Sequence, residues 1–222
     1  MKSGEITNKI NNIELYEPNQ KRNYIGASLI GDECWRKIWY ELNLDFQEEH
    51  TPRQKRIFEM GHIIETYVKS LLIRAEYQLV LPSLHPTNLE YIDSDMSYFK
   101  GHFDGILVDL EENAYLLEIK SANDTQFNIF VKKGVKKWSP RYYGQLISSM
   151  GLGSLKGAFI VVFNKDNADI ADEFVLPDDN KFQELRIKAK SIYESPTEPP
   201  RINNSPIWYQ CKACKFNKVC HG

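Results

Sequence analysis

The chain has 222 residues, of which 42% are hydrophobic, 12% aromatic and 26% charged. This composition is typical of a globular protein with a buried core, and it excludes a disordered, collagen-like or disulfide-saturated chain. With 28 basic against 30 acidic residues the formal charge is −2, so a nucleic-acid partner would require positive charge gathered in one place.

A polar leading segment and one amphipathic helix are predicted for the N-terminal part. We expect residues 1–24 to be flexible and residues 25–222 to form a single domain with its core over about 51–194. Between Ser28 and Leu44, apolar residues recur at helical spacing, which predicts one helix with Cys34 near its start. The chain has no apolar run of membrane-span length and no signal-peptide pattern at its start, so we expect a cytoplasmic protein without a membrane partner.

A long helix is predicted to begin after Thr51. This residue is a good N-cap, Pro52 suits the first turn, and Gln54 completes the capping-box pattern. The buried stripe of the helix is expected to consist of Ile57, Met60, Ile64, Val68 and Leu71. His62 and Glu65, three residues apart, would lie together on a neighbouring face.

Two strands joined by a short turn carry most of the polar chemistry. Ser97–Leu110 alternates as a strand, and Tyr115–Lys120 is the returning strand. Alternation places Glu118 and Lys120 on one side, and the hairpin brings Asp104 beside them. Two carboxylates with a lysine are suited to hold Mg²⁺ or Mn²⁺ and to stabilise charge on a phosphate. The competing interpretation is a surface hairpin whose Glu and Lys form an ordinary ion pair.

Helices and strands follow in alternation. We predict helices over Asn123–Trp138, with Gly134 as a weak point, over Pro140–Met150 and over Asp178–Tyr193, and strands over Lys156–Asn164 and Ile170–Leu176. This order predicts an α/β fold with a mixed central sheet flanked by helices.

Positive charge is gathered in one stretch. The basic residues are Lys132, Lys133, Lys136, Lys137 and Arg141, with the aromatic residues Trp138, Tyr142 and Tyr143 among and after them. Because cations contact phosphates and aromatic faces stack on unpaired bases, this stretch is a candidate DNA-binding surface. A solvated helical face is the alternative.

The four cysteines are Cys34, Cys211, Cys214 and Cys220. The last three form C-x2-C-x5-C, which in a cytoplasmic chain indicates a metal site more than disulfides or unrelated thiols. Zinc and a [4Fe–4S] cluster both suit four thiolates, and the lack of a second C-x2-C pair favours the cluster. His221 is an alternative ligand. Either group would join the segments 28–44 and 205–222.

Together these motifs resemble the PD-(D/E)XK nucleases. Gly101-His102-Phe103-Asp104 and Glu118-Ile119-Lys120 are similar to motifs II and III of that superfamily, and the predicted element order is similar to its αβββαβ core. The cysteine arrangement and the segment Ser28–Tyr40 resemble the RecB-like iron–sulfur branch, which includes the CRISPR-associated nuclease Cas four and the AddB nuclease domain.

The resemblance implies a restriction-endonuclease-like fold and a site with assigned roles. The Mg²⁺ or Mn²⁺ ligands would be His62, Asp104, Glu118 and the main-chain carbonyl of Ile119, with Glu65 as a second candidate. Lys120 would be the catalytic lysine. Gln145 matches the first residue of the branch's Q-x3-Y motif, but serine at position 149 replaces the tyrosine.

The implied function is a metal-dependent DNA exonuclease acting on single strands or DNA ends, with a structural [4Fe–4S] cluster. Two alternatives stay open: a catalytically weak DNA-binding or adaptor protein on the same fold, and a zinc-containing restriction-like endonuclease. The intact His62, Asp104, Glu118 and Lys120 favour catalysis over the adaptor. Protein partners in CRISPR adaptation, recombination or phage replication are compatible with the resemblance.

Overall fold

The computed structural model describes residues 3, 5–13, 23–46 and 50–222. Its helices are α1 (Glu5–Asn11), α2 (Ala27–Ile30), α3 (Trp35–Asn43), α4 (Pro52–Arg74), α5 (Asp124–Trp138), α6 (Pro140–Gly153), α7 (Asp179–Tyr193), α8 (Tyr209–Lys212) and α9 (Asn217–His221). Its strands are β1 (Ile25–Gly26), β2 (Gln78–Val80), β3 (Glu90–Ile92), β4 (Phe99–His102), β5 (Gly105–Val108), β6 (Ala114–Ala122), β7 (Ala158–Asn164) and β8 (Ile170–Val175).

A five-stranded mixed sheet forms the centre of the fold. Its strand order is β2-β5-β6-β7-β8, with β6 and β7 parallel and the other neighbours antiparallel. A second sheet has the order β1-β4-β3. The run α4, β2, β5, β6, α5, β7 through the main sheet confirms the predicted αβββαβ core.

Both faces of the central strand β6 are buried, which explains its apolar sequence. Leu116 packs in the larger core, beneath the helices α5, α6 and α7. Leu117 and Ile119 belong to a smaller core on the opposite face, where α4 covers the sheet. Successive side chains of a strand point to opposite faces, so Glu118 is carried into the interior on the same side as Leu116.

The prediction of one helix over Ser28–Leu44 was wrong. The helix α2 ends at Ile30 and α3 begins at Trp35, with Cys34 as its N-cap. The backbone of Gly31 packs against α6 so closely that a Cβ at Gly144 would lie 2.6 Å from the Gly31 Cα. The carboxylate of Asp32 then accepts the Cys34 N–H at 3.0 Å, which fixes the turn between the two helices.

The prediction of one strand over Ser97–Leu110 was also wrong, because β4 and β5 belong to different sheets. The chain changes sheet at Phe103 and Asp104. The buried Phe103 ring stacks on Tyr91, with centroids 4.5 Å apart. The Asp104 Oδ2 accepts a hydrogen bond from the Ile119 N–H at 3.0 Å, so this carboxylate is bound to the main chain of β6.

The helix α4 begins as predicted but buries less than predicted. The Thr51 Oγ1 accepts the Gln54 N–H at 3.3 Å, and the Gln54 Oε1 accepts the Thr51 N–H at 2.9 Å, which confirms the capping box. Ile64 and Val68 are buried, whereas Ile57 and Met60 are 48% and 52% exposed. With 23 residues the helix is about 35 Å long, and its first turns carry the latter two residues outside the packed core.

The N-terminal segment contains the helix α1, which has no buried residue. The Asn11 Oδ1 accepts a hydrogen bond from the Arg56 Nη1 at 2.9 Å, so this helix contacts α4. The expected flexibility of residues 1–24 stays a prediction, and residues 1, 2, 4 and 14–22 lie outside the described residues. Within the described ranges, no helix is long and apolar enough to cross a membrane.

We expect Gly134→Ala to destabilise the protein by about 1–3 kcal/mol. Gly134 has φ +71, and a Cβ there would lie 3.0 Å from the Glu173 carboxylate, which also accepts the Val135 N–H at 2.6 Å. The matched control is Gly61→Ala in α4, where nothing lies within 4 Å of the added carbon. This control should gain about 0.5–1 kcal/mol. Urea unfolding measures the free energy of unfolding of both variants. Equal changes at the two glycines would show that the α5 kink does not require glycine at position 134.

Candidate functional site

The candidate active site lies where β6 passes the residue that precedes β5. Pairing of Gly105 with Leu117 sets Asp104 level with Glu118. The bond from the Ile119 N–H to the Asp104 Oδ2 holds this carboxylate against β6. Lys120 lies two residues after Glu118 and therefore on the same side of the strand, and their side chains form an ion pair. The structure thus brings the predicted Asp, Glu and Lys together.

The Glu118 carboxylate is the most enclosed group of the site, with 1% of the residue exposed. Besides the Lys120 ammonium, its Oε1 accepts a hydrogen bond from the Gln145 Nε2 at 2.7 Å. Gln145 is itself buried on α6. A buried carboxylate is expensive unless it is paired and hydrogen-bonded, so these two partners fix its position. Gln145, predicted from the Q-x3-Y resemblance, is therefore in contact with the site.

The surroundings of Asp104 and Lys120 shift the pKa of both groups. Burial and the nearby Glu118 raise the pKa of Asp104 from 3.8 to about 7, although Lys120 and the Ile119 N–H oppose the shift. Burial acts to lower the pKa of Lys120, but Glu118 and Asp104 outweigh it and raise this pKa, so the ammonium stays protonated. Two enclosed carboxylates facing one ammonium leave negative charge that a hard divalent cation would neutralise.

A cavity of about 830 Å³ opens beside this group, and we call it the first cavity. Its lining residues include His50, Lys55, Ile57, Phe58, His62, Glu65, Ile119, Lys120, Ser121 and Tyr142. The His62 side chain is 81% exposed, and its Nδ1 lies 3.9 Å from the Glu65 Oε2. Glu65 also pairs with Lys69 at 2.5 Å.

His62 and Glu65 face the same cavity as Lys120, and the charge of Glu65 adds to the raised pKa of Asp104. In the part of the chain that the structure describes, no three His, Cys, Asp or Glu side chains are grouped to hold a metal ion. The carboxylates of Asp104 and Glu118, with the main chain of Ile119 alongside, are the oxygen donors that fit Mg²⁺ or Mn²⁺.

The predicted DNA-binding stretch is divided by the fold. The Tyr142 ring lies over the Lys120 ammonium, with 5.1 Å from the Nζ to the ring centroid, so this tyrosine belongs to the site. Tyr143 instead donates its hydroxyl to Asp178 at 3.3 Å and carries Lys136 over its ring, at another cavity. Lys132, Lys133 and Lys137 are exposed, and they are not among the described residues that line that cavity or the first cavity.

Two other members of the stretch fold back towards β6. Trp138 follows the α5 kink at Gly134, and its Nε1 donates to the Gln126 Oε1 at 3.1 Å. The Arg141 Nε donates to the Ser28 main-chain oxygen at 3.0 Å. The aromatic and basic residues nearest the candidate site are thus Tyr142, Trp138 and Arg141.

A second candidate site contains the four cysteines. Cys34, Cys211, Cys214 and Cys220 all line one cavity of about 340 Å³, together with His221. The four are free thiols, without a disulfide. Burial raises the pKa of Cys211, and the charges of Cys34 and Cys220 add to the shift, so these thiols are near neighbours. Thiols are the donor type that a thiolate-bound metal group requires, although among the described residues no three of these four are grouped closely enough to hold a metal ion.

One basic residue that sequence reasoning missed, Arg36, lines this cysteine cavity, and a second, Lys188, contacts the turn before Cys34. The Arg36 Nη1 lies 3.9 Å from the Cys220 Sγ. The Lys188 Nζ, on α7, donates to the main-chain oxygens of Ile30 at 2.8 Å and Asp32 at 2.5 Å. The position of Arg36 two residues after Cys34 was an available signal. Lys188 gave none, because it follows the polar pattern of an amphipathic helix.

Comparison with known proteins identifies the fold. No family model and no curated protein matches the chain. Among solved structures, the alkaline exonuclease LHK-Exo from Laribacter hongkongensis is similar over 78% of this chain and 87% of its own, at TM-score 0.58 and 17% identity. Its complex with dAMP gives TM-score 0.58 at 16% identity over the same shares, 78% and 87%. The structure of SSO0001 covers 98% of this chain and 96% of its own, at TM-score 0.61 and 20% identity. The chain therefore shares the restriction-endonuclease-like fold of these structures, as expected.

We expect Asp104→Asn to stabilise the metal-free protein at pH 8 by about 1–2 kcal/mol. A raised folded-state pKa means that the folded carboxyl binds its proton more tightly than the unfolded one, so stability decreases as pH rises from 3.8 to about 7. Asparagine keeps an oxygen for the Ile119 N–H and carries no charge. Its advantage should therefore shrink from pH 8 to pH 5, as followed by urea unfolding in chelator. A pH-independent difference would exclude the raised pKa.

Proposed function

We propose that the protein is a metal-dependent DNA nuclease of the PD-(D/E)XK type. The observation that carries this proposal is the enclosed group Asp104, Glu118 and Lys120 beside an open cavity of about 830 Å³. The fold shared with an alkaline exonuclease supports it. Neighbouring carboxylates of which one has a raised pKa, here about 7 for Asp104, are frequent at catalytic sites.

The residues of the site have separable roles in this proposal. Asp104, Glu118 and the Ile119 carbonyl would hold Mg²⁺ or Mn²⁺, with His62 and Glu65 as further contacts from the cavity wall. When bound, the ion supplies Lewis-acid activation of the phosphate and of water. Lys120 remains an ammonium and stabilises negative charge that develops on the phosphate. Gln145 orients the Glu118 carboxylate, and Tyr142 limits the movement of Lys120.

DNA ends or single strands are the substrate that we infer. One similar structure is described as an alkaline exonuclease, and it was also solved in complex with dAMP. In this chain, Tyr142 and Trp138 offer aromatic faces next to the site. The exposed lysines Lys132, Lys133, Lys136 and Lys137 add positive charge that attracts the phosphate backbone from further away.

We also propose that Cys34, Cys211, Cys214 and Cys220 hold a [4Fe–4S] cluster. The cavity that all four thiols line supports this assignment, as does the missing second C-x2-C pair of a zinc ribbon. When bound, the cluster would act as a structural link between the start of α3 and the C-terminal helices. A basic residue, Arg36, lies beside the Cys220 sulfur and would offset negative charge of a bound cluster.

We expect Lys120→Met to reduce cleavage of end-labelled DNA by about 10³-fold, because the variant lacks the charge that faces the phosphate. DNA binding should change little, whereas thermal stability should decrease because the buried Glu118 carboxylate loses its charge partner, so cleavage is compared at a temperature at which both proteins are folded. Lys156→Met, at an exposed position outside the site, is the matched control and should cleave like wild type. Chelator should abolish activity, and added Mg²⁺ or Mn²⁺ should restore it. Cleavage by Lys120→Met at the control rate would overturn the assignment.

We expect Cys34→Ala to abolish the visible absorbance of anaerobically purified protein and to lower its iron content. The three other cysteine variants should behave alike, because four ligands bind one group. The segment after Pro200 should become sensitive to protease. His221→Ala is the control and should retain iron. If Cys34→Ala keeps its full iron content and His221→Ala loses iron, the histidine is the fourth ligand. If the wild-type protein contains zinc instead of iron, the cluster assignment is wrong.

A further inference from the structure

A second cavity, of about 460 Å³, adjoins the first cavity. Ser121 and Tyr142 line both of them, so the two are continuous. The strand β6 runs along the pair: Ile119 and Lys120 line the first cavity, and Ala122 lines the second. Together the two cavities form one groove that follows the end of β6 past the acidic group.

The charge of the second cavity is entirely positive. Its described lining contains two basic side chains, Arg141 and Lys165, and no carboxylate. The bond from the Arg141 Nε to the Ser28 oxygen holds the guanidinium at the wall and uses one of its five N–H donors. The start of α5 adds little, because Asn123 and Asp166 already accept its first N–H groups. The two side chains therefore provide the site for an anion.

Aromatic faces lie next to these cations. Trp138 and Tyr142 both line the second cavity, and their ring centroids are 5.2 Å apart at an interplanar angle of 52°. The hydrogen bond from the Trp138 Nε1 to the Gln126 Oε1 fixes the indole. An anion site beside a fixed aromatic face is the combination that binds a nucleotide, with phosphate on the cations and base on the ring.

We propose that the second cavity is a nucleotide subsite next to the cleavage site. Arg141 and Lys165 bind the phosphate adjacent to the one that is hydrolysed, and its base stacks on Trp138. The DNA strand then crosses Tyr142 between the two cavities. This inference rests on the proposed nuclease function, because it takes the acidic group as the place of cleavage. Lys165 lies outside the basic stretch and becomes a substrate contact only through the fold.

The test is the binding of a fluorescent thymidine tetranucleotide, without metal so that no cleavage occurs. Arg141→Gln/Lys165→Gln should weaken its binding about tenfold and lower the slope of log affinity against log salt by about 0.7, the value for the one phosphate of a single strand that both side chains bind. The control Arg74→Gln/Lys156→Gln removes the same charge at exposed positions outside the groove, and its affinity should stay within about twofold of wild type.

Two further measurements separate a subsite from a folding defect. Because Arg141 also bonds Ser28, the single variant Lys165→Gln should alone lower the affinity about threefold at an unchanged melting temperature. Trp138→Leu should weaken binding without changing the salt slope, because it removes stacking and no charge.

The outcomes distinguish the subsite from the nuclease. If wild type cleaves DNA but the groove variants and the control variant bind the tetranucleotide equally well, the subsite is overturned and the nuclease proposal stands. The expected binding pattern in a wild-type protein that cleaves no DNA supports the subsite and overturns the nuclease. Wild type that binds no DNA overturns both.

Discussion

The buried ion pair between Glu118 and Lys120 is the constraint to which the surrounding structure is adapted. A carboxylate in the interior of a sheet is tolerated only with a charge partner and with its remaining lone pairs satisfied. Lys120 is the charge partner, and Gln145 on α6 donates a hydrogen bond to the carboxylate. The position of α6 over β6 is therefore part of the site. Asp104 enters the same enclosed space because the chain changes sheets immediately before β5.

Much of this arrangement could be predicted from sequence because it depends on local rules. The alternation in β6, the capping box at Thr51 and the helix-breaking Gly134 each follow from a few neighbouring residues, and the structure has all three. The short loop between β5 and β6 set the register, which placed Asp104 beside Glu118. The motif resemblance added Gln145, whose partner no local pattern could have named.

The features that sequence missed depend on contacts between distant segments. Periodicity cannot show that Ser97–Leu110 is shared between two sheets, since each half alternates correctly on its own. It cannot show that the first turns of α4 lie outside the core, because Ile57 and Met60 keep the helical spacing of buried residues. Charge clustering in sequence was similarly incomplete: it found Arg141 but not Lys165, which the fold places at the same cavity.

The contact between Gly31 and Gly144 links the two candidate sites. Gly31 is three residues before Cys34, and Gly144 is the neighbour of Gln145, which binds the buried Glu118 carboxylate. One backbone contact therefore connects the segment that carries Cys34 with the helix that positions Glu118. Any side chain at either glycine would push α6 away from α2 and move Gln145 and the Cys34 turn together. A substitution at either glycine would therefore disturb both candidate sites at once.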